Sequence, residues 1–164
     1  MRTPRIGLLA DAPTCVATLA QWHHAQWGEM IRDWSLATAQ AELQSHVEQR
    51  GVPTTLVLHV DEALAGSVSL LENDVPEFAD RGPWLASLYV VPALRRQGLG
   101  ELLLRAAVHH ARVCGVAALY LFTPEHRAFY ARHGWQLLET RPLGAHSVSI
   151  MMLDVSASAG LAAP

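Results

Sequence analysis

The stretch Leu88-Tyr89-Val90-Val91-Pro92-Ala93-Leu94-Arg95-Arg96-Gln97-Gly98-Leu99-Gly100-Glu101-Leu102-Leu103 decides the fold of this chain. Leu88 to Val91 is an apolar, β-branched run, the pattern of a buried strand. Pro92 has no N–H to donate and ends the ladder. Leu99, Leu102, Leu103, Ala106, Ala107 and His110 then recur at the three-and-four spacing of one helical face. Between strand and helix stands Arg95-Arg96-Gln97-Gly98-Leu99-Gly100. Its glycines let the backbone approach a ligand that a Cβ would hold off. The free N–H groups of the helix's first turn, aided by the helix dipole, favour an anion such as a diphosphate. Arg95 and Arg96 add charge that pairs with phosphate oxygens. The plain alternative is a strand-to-helix turn with surface arginines, because short glycine motifs match by accident. No Gly-Lys-Ser/Thr follows, so the turn is not a Walker loop, and its spacing is not Gly-x-Gly-x-x-Gly.

Upstream of this stretch, Trp84 opens the same strand, and Asn73 to Pro83, with its prolines, acids and Gly82, reads as a loop. Thr54 to Val60 and Leu64 to Glu72 read as a hairpin turning at Asp61-Glu62-Ala63. Arg5 to Ala10 reads as a first strand. Asp11 is the expected N-cap of a helix through Gln26, with Pro13 in its first turn. Ser35 caps a second helix, Leu36 to Gln49, which ends before Gly51 and Pro53. Downstream, Gly115 ends the helix that runs from Gly98 to Val113. A strand over Ala118 to Phe122, a short helix from Pro124 to His133 and a left-handed cap at Gly134 follow. Trp135 to Thr140 and Ser147 to Asp154 close the chain as two strands around Pro142-Leu143-Gly144. The order β-α-α-β-β-β-α-β-α-β-β predicts an α/β, three-layer mixed sheet, with residues 1–154 as one domain and 155–164 as a disordered tail.

With 164 residues the chain is long enough for one continuous core. Its residues are 51% hydrophobic and only 16% charged, which argues against disorder. A net charge of −3 argues against a nucleic-acid partner, so the arginines of the turn are a local feature. Cys15 and Cys114 form no Cys-x-x-Cys pair and read as buried free thiols, with neither a disulfide framework nor a metal site. No leader and no apolar span of membrane length is evident, so a soluble, cytoplasmic protein without a membrane partner is expected.

Trp22-His23-His24-Ala25-Gln26-Trp27 is rich in aromatic groups, and Trp34 follows. Taken singly, each tryptophan reads as readily as a core anchor. The adjacent His23 and His24 cannot both face inward on a helix, and no carboxylate or cysteine at ligand spacing makes a metal site of them.

Arg95-x-x-Gly98-x-Gly100, preceded by Val-x-Pro and followed by a Leu-rich helix, resembles the acetyl-CoA pyrophosphate loop of the GNAT superfamily of N-acetyltransferases. About 30 residues on, Ala128-Phe129-Tyr130-Ala131-Arg132-His133-Gly134-Trp135 is similar to that superfamily's A-x-x-F-Y-x-x-x-G-F helix and turn. Two motifs in order and at this spacing are far more specific than either alone. The resemblance spans Ile6 to Leu153, weakly before residue 60. It implies the acyl-CoA N-acyltransferase fold, a mostly antiparallel twisted sheet with helices on both faces.

The resemblance also implies direct transfer of acetyl from acetyl-CoA to a primary amine in a ternary complex, with a homodimer as a possible assembly. Leu88, Tyr89 and Val90 would meet pantetheine through their main chain, and Arg95, Arg96, Gln97, Gly98, Leu99, Gly100 and Glu101 would hold the diphosphate. A backbone N–H near Leu88 to Val90 would polarise the thioester carbonyl. Phe129 and Tyr130 would line the cofactor. Tyr130 falls on the family's tyrosine, whose phenol, with a pKa of about 10, stays protonated and can donate to the departing sulfur. Packing on pantetheine alone is its other reading. Thr123 stands where an asparagine is often found, which puts its cofactor contact in question.

The glutamate that some family members carry on this strand is missing from Trp84-Leu85-Ala86-Ser87, which leaves the base unassigned among a carboxylate, a histidine and ordered water, with Glu72 the candidate among the nearby acids. Trp27, Trp34, Asp74 and Trp84 are the expected acceptor wall, and Glu72, Asp74, Glu77 and Asp80 would draw in a small cationic amine. Two other readings stay open. A protein N-terminal acetyltransferase is one, because Thr123-x-x-x-x-x-Phe129-Tyr130-x-x-x-Gly134 is similar to a run in some eukaryotic members. A non-catalytic CoA-binding sensor is the other, and the retained Tyr130 argues against it.

Overall fold

The computed structural model describes residues 2–156. Strand β1 (Pro4–Leu8) passes through two 3-10 turns, Leu9–Asp11 and Pro13–Cys15, into helix α1 (Val16–Trp27). The helix expected from Asp11 therefore begins only at Val16. Asp11 caps nothing; its carboxylate is held by Arg50 at 2.8 and 3.1 Å. Ser35 does cap α2 (Leu36–Ser45), its Oγ accepting the Thr38 N–H at 3.1 Å, and the helix tightens into a 3-10 turn, His46–Glu48. Strands β2 (Thr54–Val60) and β3 (Ala63–Leu71) turn through Asp61 and Glu62 at φ 50° and 71°. That is the two-residue turn whose twist matches a hairpin.

Strand β4 (Trp84–Val90) leads through a 3-10 turn, Pro92–Leu94, to α3 (Leu99–Val113), which Gly115 closes at φ 83°. Strand β5 (Ala118–Thr123), α4 (Arg127–Arg132), β6 (Gln136–Leu143) and β7 (His146–Asp154) complete the chain. Helix α4 starts later than Pro124 because Thr123 Oγ1 accepts the His126 N–H at 3.0 Å and holds the intervening residues in a turn. Gly134 takes the left-handed conformation at φ 91°, as its position after the helix demands.

The seven strands form one sheet in the order β1-β2-β3-β4-β5-β7-β6, antiparallel everywhere except between β4 and β5. Those two share the single register pair Trp84–Tyr120. Beyond it they part, and the gap lies at the middle of the sheet. Pro142 is tolerated in β6 because β6 is an edge strand.

The strand period of two sends alternate residues of β2 to opposite faces. Leu56, Leu58 and Val60 join Leu103, Leu104, Ala107 and Leu119 in the core under α3. Val57 joins Leu9, Leu19, Ala20 and Leu43 under α1 and α2. The result is helices on both faces, as the sequence leads one to expect. A third cluster, Phe78, Trp84, Leu143, Val148 and Ile150, fills the end of the sheet beneath the loop after β3. Val155, where the tail was expected to begin, is fully buried with its N–H on Ala117 O at 2.8 Å. Residues 157–164 of that expected tail lie outside the described residues. Among the described residues no helix is long and apolar enough to cross a membrane.

Beneath α1 and α2 the core also holds buried polar contacts. His46 Nδ1 and Ser69 Oγ each lie 2.8 Å from Thr55 Oγ1, and His23 Nε2 lies 2.8 Å from Ser67 Oγ. Burial holds the His23 imidazole neutral, its pKa lowered from 6.5 to about 4. Between those two values the unfolded chain binds a proton that the folded chain refuses, so stability is lost as pH falls through the window. The difference is worth about 3 kcal/mol. His23→Asn is therefore expected to flatten the fall in urea-unfolding free energy from pH 6.5 to pH 4. An unaltered slope would place that acid sensitivity elsewhere.

Candidate active site

Where β3 and β4 pair, the register slips. Ser67 faces Tyr89 and Ser69 faces Ala86, so Ser87 and Leu88 stand together against Val68 alone. Ser87 reaches φ 57° to make this bulge. A bulge removes a residue from the ladder and re-aims its backbone N–H. Here it does so in β4, beside the gap to β5. The local apolar run gave no sign of it, because Ser87 is not a residue that favours positive φ.

Past Val90 the chain makes the expected turn. Gly98 is the N-cap of α3 at φ 83°, Arg96 takes φ 63°, and Arg96, Gln97 and Gly98 are exposed. Nothing lies within 4 Å of where a Cβ on Gly98 would stand. The space beside Gly98 at the N-terminus of α3 is therefore open, as a diphosphate cradle requires. A Cβ on Gly100 would stand 4.0 Å from Phe129 Cζ, so the Phe129 ring lies over the start of α3. Arg95 is partly engaged: its Nε donates to Val90 O at 2.7 Å and its guanidinium carbon sits 5.3 Å from the Tyr89 ring centroid. Glu101 lies 3.8 Å from Arg105, one turn on, which moderates a negative charge that would otherwise oppose an anion.

Leu88, Val90, Leu99, Phe129 and Tyr130 belong to a single apolar cluster, so the sheet gap, the glycine turn and α4 meet. Tyr130 is 8% exposed and packs against Phe129 and Trp135. Burial pushes its phenol well above the ordinary range, so the hydroxyl keeps its proton. Thr123, expected among the cofactor contacts, is buried, and its hydroxyl serves the turn into α4 through His126.

On the other face, Tyr89 is ringed by α1. Trp22 stacks on it at 5.5 Å, and Trp27 and His23 meet it at 6.2 and 6.3 Å. Trp34 packs on His24 at 6.1 Å, and burial raises the pKa of the Glu42 carboxyl against a smaller downward pull from its hydrogen bond with Trp34. Asp74, in the loop after β3, is half-buried; burial first and the Glu42 charge second raise its pKa from 3.8 to about 7. Trp34, Glu42 and Asp74 thus come together from three segments. The sequence pointed to the first and last. Glu42 was missed because its place on α2 reads as an ordinary solvated helical glutamate.

One expectation for this wall is corrected. Trp84 is fully buried, stacked on Phe78 at 5.8 Å with its indole N–H on Arg81 O, so it is a core anchor and not an acceptor contact. Glu72 is exposed just beyond β3. Asp80 is met by Arg141 at 3.7 Å, and Arg81 pairs with Glu139 at 3.0 Å, so the loop is clamped to β6. An apolar groove of about 530 Å³ between β1 and α3, lined by Ile6, Leu8, Leu56, Leu102, Ala106 and Val113 among others, contains none of the predicted site residues. Among the described residues no group of three or more His, Cys, Asp or Glu is placed to hold a metal ion.

The model of the acetyltransferase (GNAT) family matches residues 18–135. No curated protein matches. Among solved structures, an aminoglycoside 6'-N-acetyltransferase complexed with coenzyme A aligns at 14% identity over 92% of this chain and 97% of its own, with a TM-score of 0.69. The Salmonella typhimurium protein yncA with its cofactor acetyl-CoA aligns at 21% identity over 100% and 98%, also at 0.69. A GNAT-family acetyltransferase from Streptococcus pneumoniae aligns at 18% identity over 93% and 98%, with a TM-score of 0.65. At these identities the likeness is one of fold.

Proposed function

Because the chain belongs to the acetyltransferase (GNAT) family, we propose that it transfers acetyl from acetyl-CoA to a primary amine of a small cationic molecule. The observation that carries the reading is the open amide turn at Gly98, set at the mouth of the gap between β4 and β5. Acetyl-CoA, when bound, supplies an activated thioester. The N–H groups from Gly98 to Glu101, with Arg95 and Arg96, suit its diphosphate. Main-chain groups of Leu88, Tyr89 and Val90 suit its amide-bearing arm, and Phe129 its apolar length. The amide released at the Ser87–Leu88 bulge is a fixed donor for a carbonyl oxygen in the gap. Tyr130 keeps a proton at its phenol oxygen, ready for a leaving thiolate.

An ammonium must lose a proton before it attacks. Asp74, at a pKa of about 7, is better matched to accept that proton at neutral pH than an ordinary carboxylate. The raised pKa is the reason to take Asp74, in place of the exposed Glu72, as the base of this reading. With Glu42 it also supplies the negative charge that holds a cation, and Trp27 and Trp34 supply flat apolar contact.

The test is CoA-thiol release with a panel of polyamines, aminoglycosides, simple amines and peptides. Turnover on small cationic amines is the expected result; turnover on peptide N-termini alone, or CoA binding with no turnover, overturns it. With an acceptor in hand, Asp74→Asn is expected to lower kcat/KM about 10²-fold or more and to remove the acidic limb near pH 7. The same raised pKa carries a stability cost, fully absent below pH 3.8 and complete above about 7. Asp74→Asn should therefore raise the melting temperature at pH 8 and leave it unchanged at pH 3.5. A loss of activity with the pH limb intact would move the base elsewhere.

A further inference from the structure

Tyr89 is where the glycine turn and the aromatic wall of α1 meet. One side of its surroundings is Arg95, whose guanidinium carbon lies 5.3 Å from the ring centroid and whose Nε is bonded to Val90 O at 2.7 Å. The rest is α1: Trp22 stacked at 5.5 Å with an interplanar angle of 25°, and Trp27 edge-on at 6.2 Å. His23 touches both Tyr89 and Trp27 and is tied to β3 by Ser67, the residue facing Tyr89 across the sheet. Tyr89 itself is 9% exposed, whereas Arg95 is exposed at the turn.

A guanidinium is planar and carries five N–H donors in a fixed fork. One of Arg95's donors is on Val90 O and its face is on Tyr89. An anion taken by the remaining donors would fix the plane of the group, and with it the ring beneath. That ring is in contact with Trp27 of the acceptor wall and with Trp22, earlier on α1.

We propose that Arg95, Tyr89 and the Trp22–Trp27 pair form a relay through which a diphosphate in the Gly98 turn orders the acceptor wall. A diphosphate held there tightens the site for the amine, and by linkage the amine tightens acetyl-CoA equally. This inference rests on the assignment of the Gly98 turn to CoA. It makes Arg95 a positioning residue as well as a phosphate partner.

The five tryptophans allow a direct reading by fluorine NMR of 5-fluorotryptophan-labelled protein, with Trp22→Phe and Trp27→Phe assigning two resonances. CoA is the probe, and its binding is measured separately by calorimetry. At saturation the Trp22 and Trp27 resonances are expected to shift, and that of Trp84, buried against Phe78, to stay. In Arg95→Gln and Arg95→Lys, CoA should bind up to about tenfold more weakly, as for one lost phosphate contact of about 1.4 kcal/mol. At saturation the Trp22 shift should then be gone. Tyr89→Phe keeps the ring and should keep the shift; Tyr89→Leu should lose it. Calorimetric binding with Trp22 and Trp27 unmoved, an equal shift at Trp84, or a full shift surviving in Arg95→Gln each overturn the relay while leaving the CoA site standing. Absence of any calorimetric binding overturns the CoA assignment and the relay together.

Discussion

Gly98→Val is expected to abolish the rise in melting temperature that acetyl-CoA gives the native protein. At a ligand concentration near 100 times Kd, binding stabilises a folded protein by about 2.7 kcal/mol. For a chain of this size that amounts to roughly 5 to 10 °C. Gly98 sits at φ 83° with open space where its Cβ would be, so the added side chain stands in the cradle without striking the protein. Its backbone cost is about 1–2 kcal/mol, which a folded domain can bear. Gly115 offers a matched control, since it closes the same helix at the same φ of 83° with the same open surroundings. Gly115→Val should lower the melting temperature of the free protein by a similar amount and keep the acetyl-CoA rise in full. A rise that persists in Gly98→Val would sink the assignment of the turn.

Tyr130→Phe should lower kcat by about 10²- to 10⁴-fold, the range for losing a positioned proton donor. The ring stays in its place against Phe129 and Trp135, so affinity for acetyl-CoA should change little. Burial raises the phenol pKa, so the native enzyme should show no alkaline loss of rate from this group up to pH 10. Because the folded pKa lies above the unfolded one, the stability linked to Tyr130 is complete below about pH 10 and declines only above it. Should kcat hold while acetyl-CoA affinity falls, Tyr130 is a packing residue and the proton comes from elsewhere.

Local pattern was enough for much of this molecule, and the reasons are physical. The Leu88–Leu103 run specified strand, proline stop, glycine turn and helix, because each rests on the backbone limits of individual residues. Ser35 as a cap, Asp61-Glu62 as a hairpin turn and Gly134 as a left-handed stop were legible for the same reason. So was the alternation in β2 that puts helices on both faces of the sheet.

What tertiary structure alone decided is how segments distant in sequence meet. Trp84 reads like any aromatic at the mouth of a strand, and only its packing on Phe78 makes it core. Glu42 and Asp74 are far apart along the chain, and their mutual influence exists only because α2 folds over the loop after β3. The bulge at Ser87 depends on how β3 and β4 register, a property of the pair and not of either strand. Tyr89 was assigned a main-chain role from its place in the strand; its ring became a junction once α1 brought Trp22 and Trp27 against it. Turns and caps are written residue by residue, whereas strand register, side-chain environment and charge coupling are set by neighbours that only the folded chain supplies.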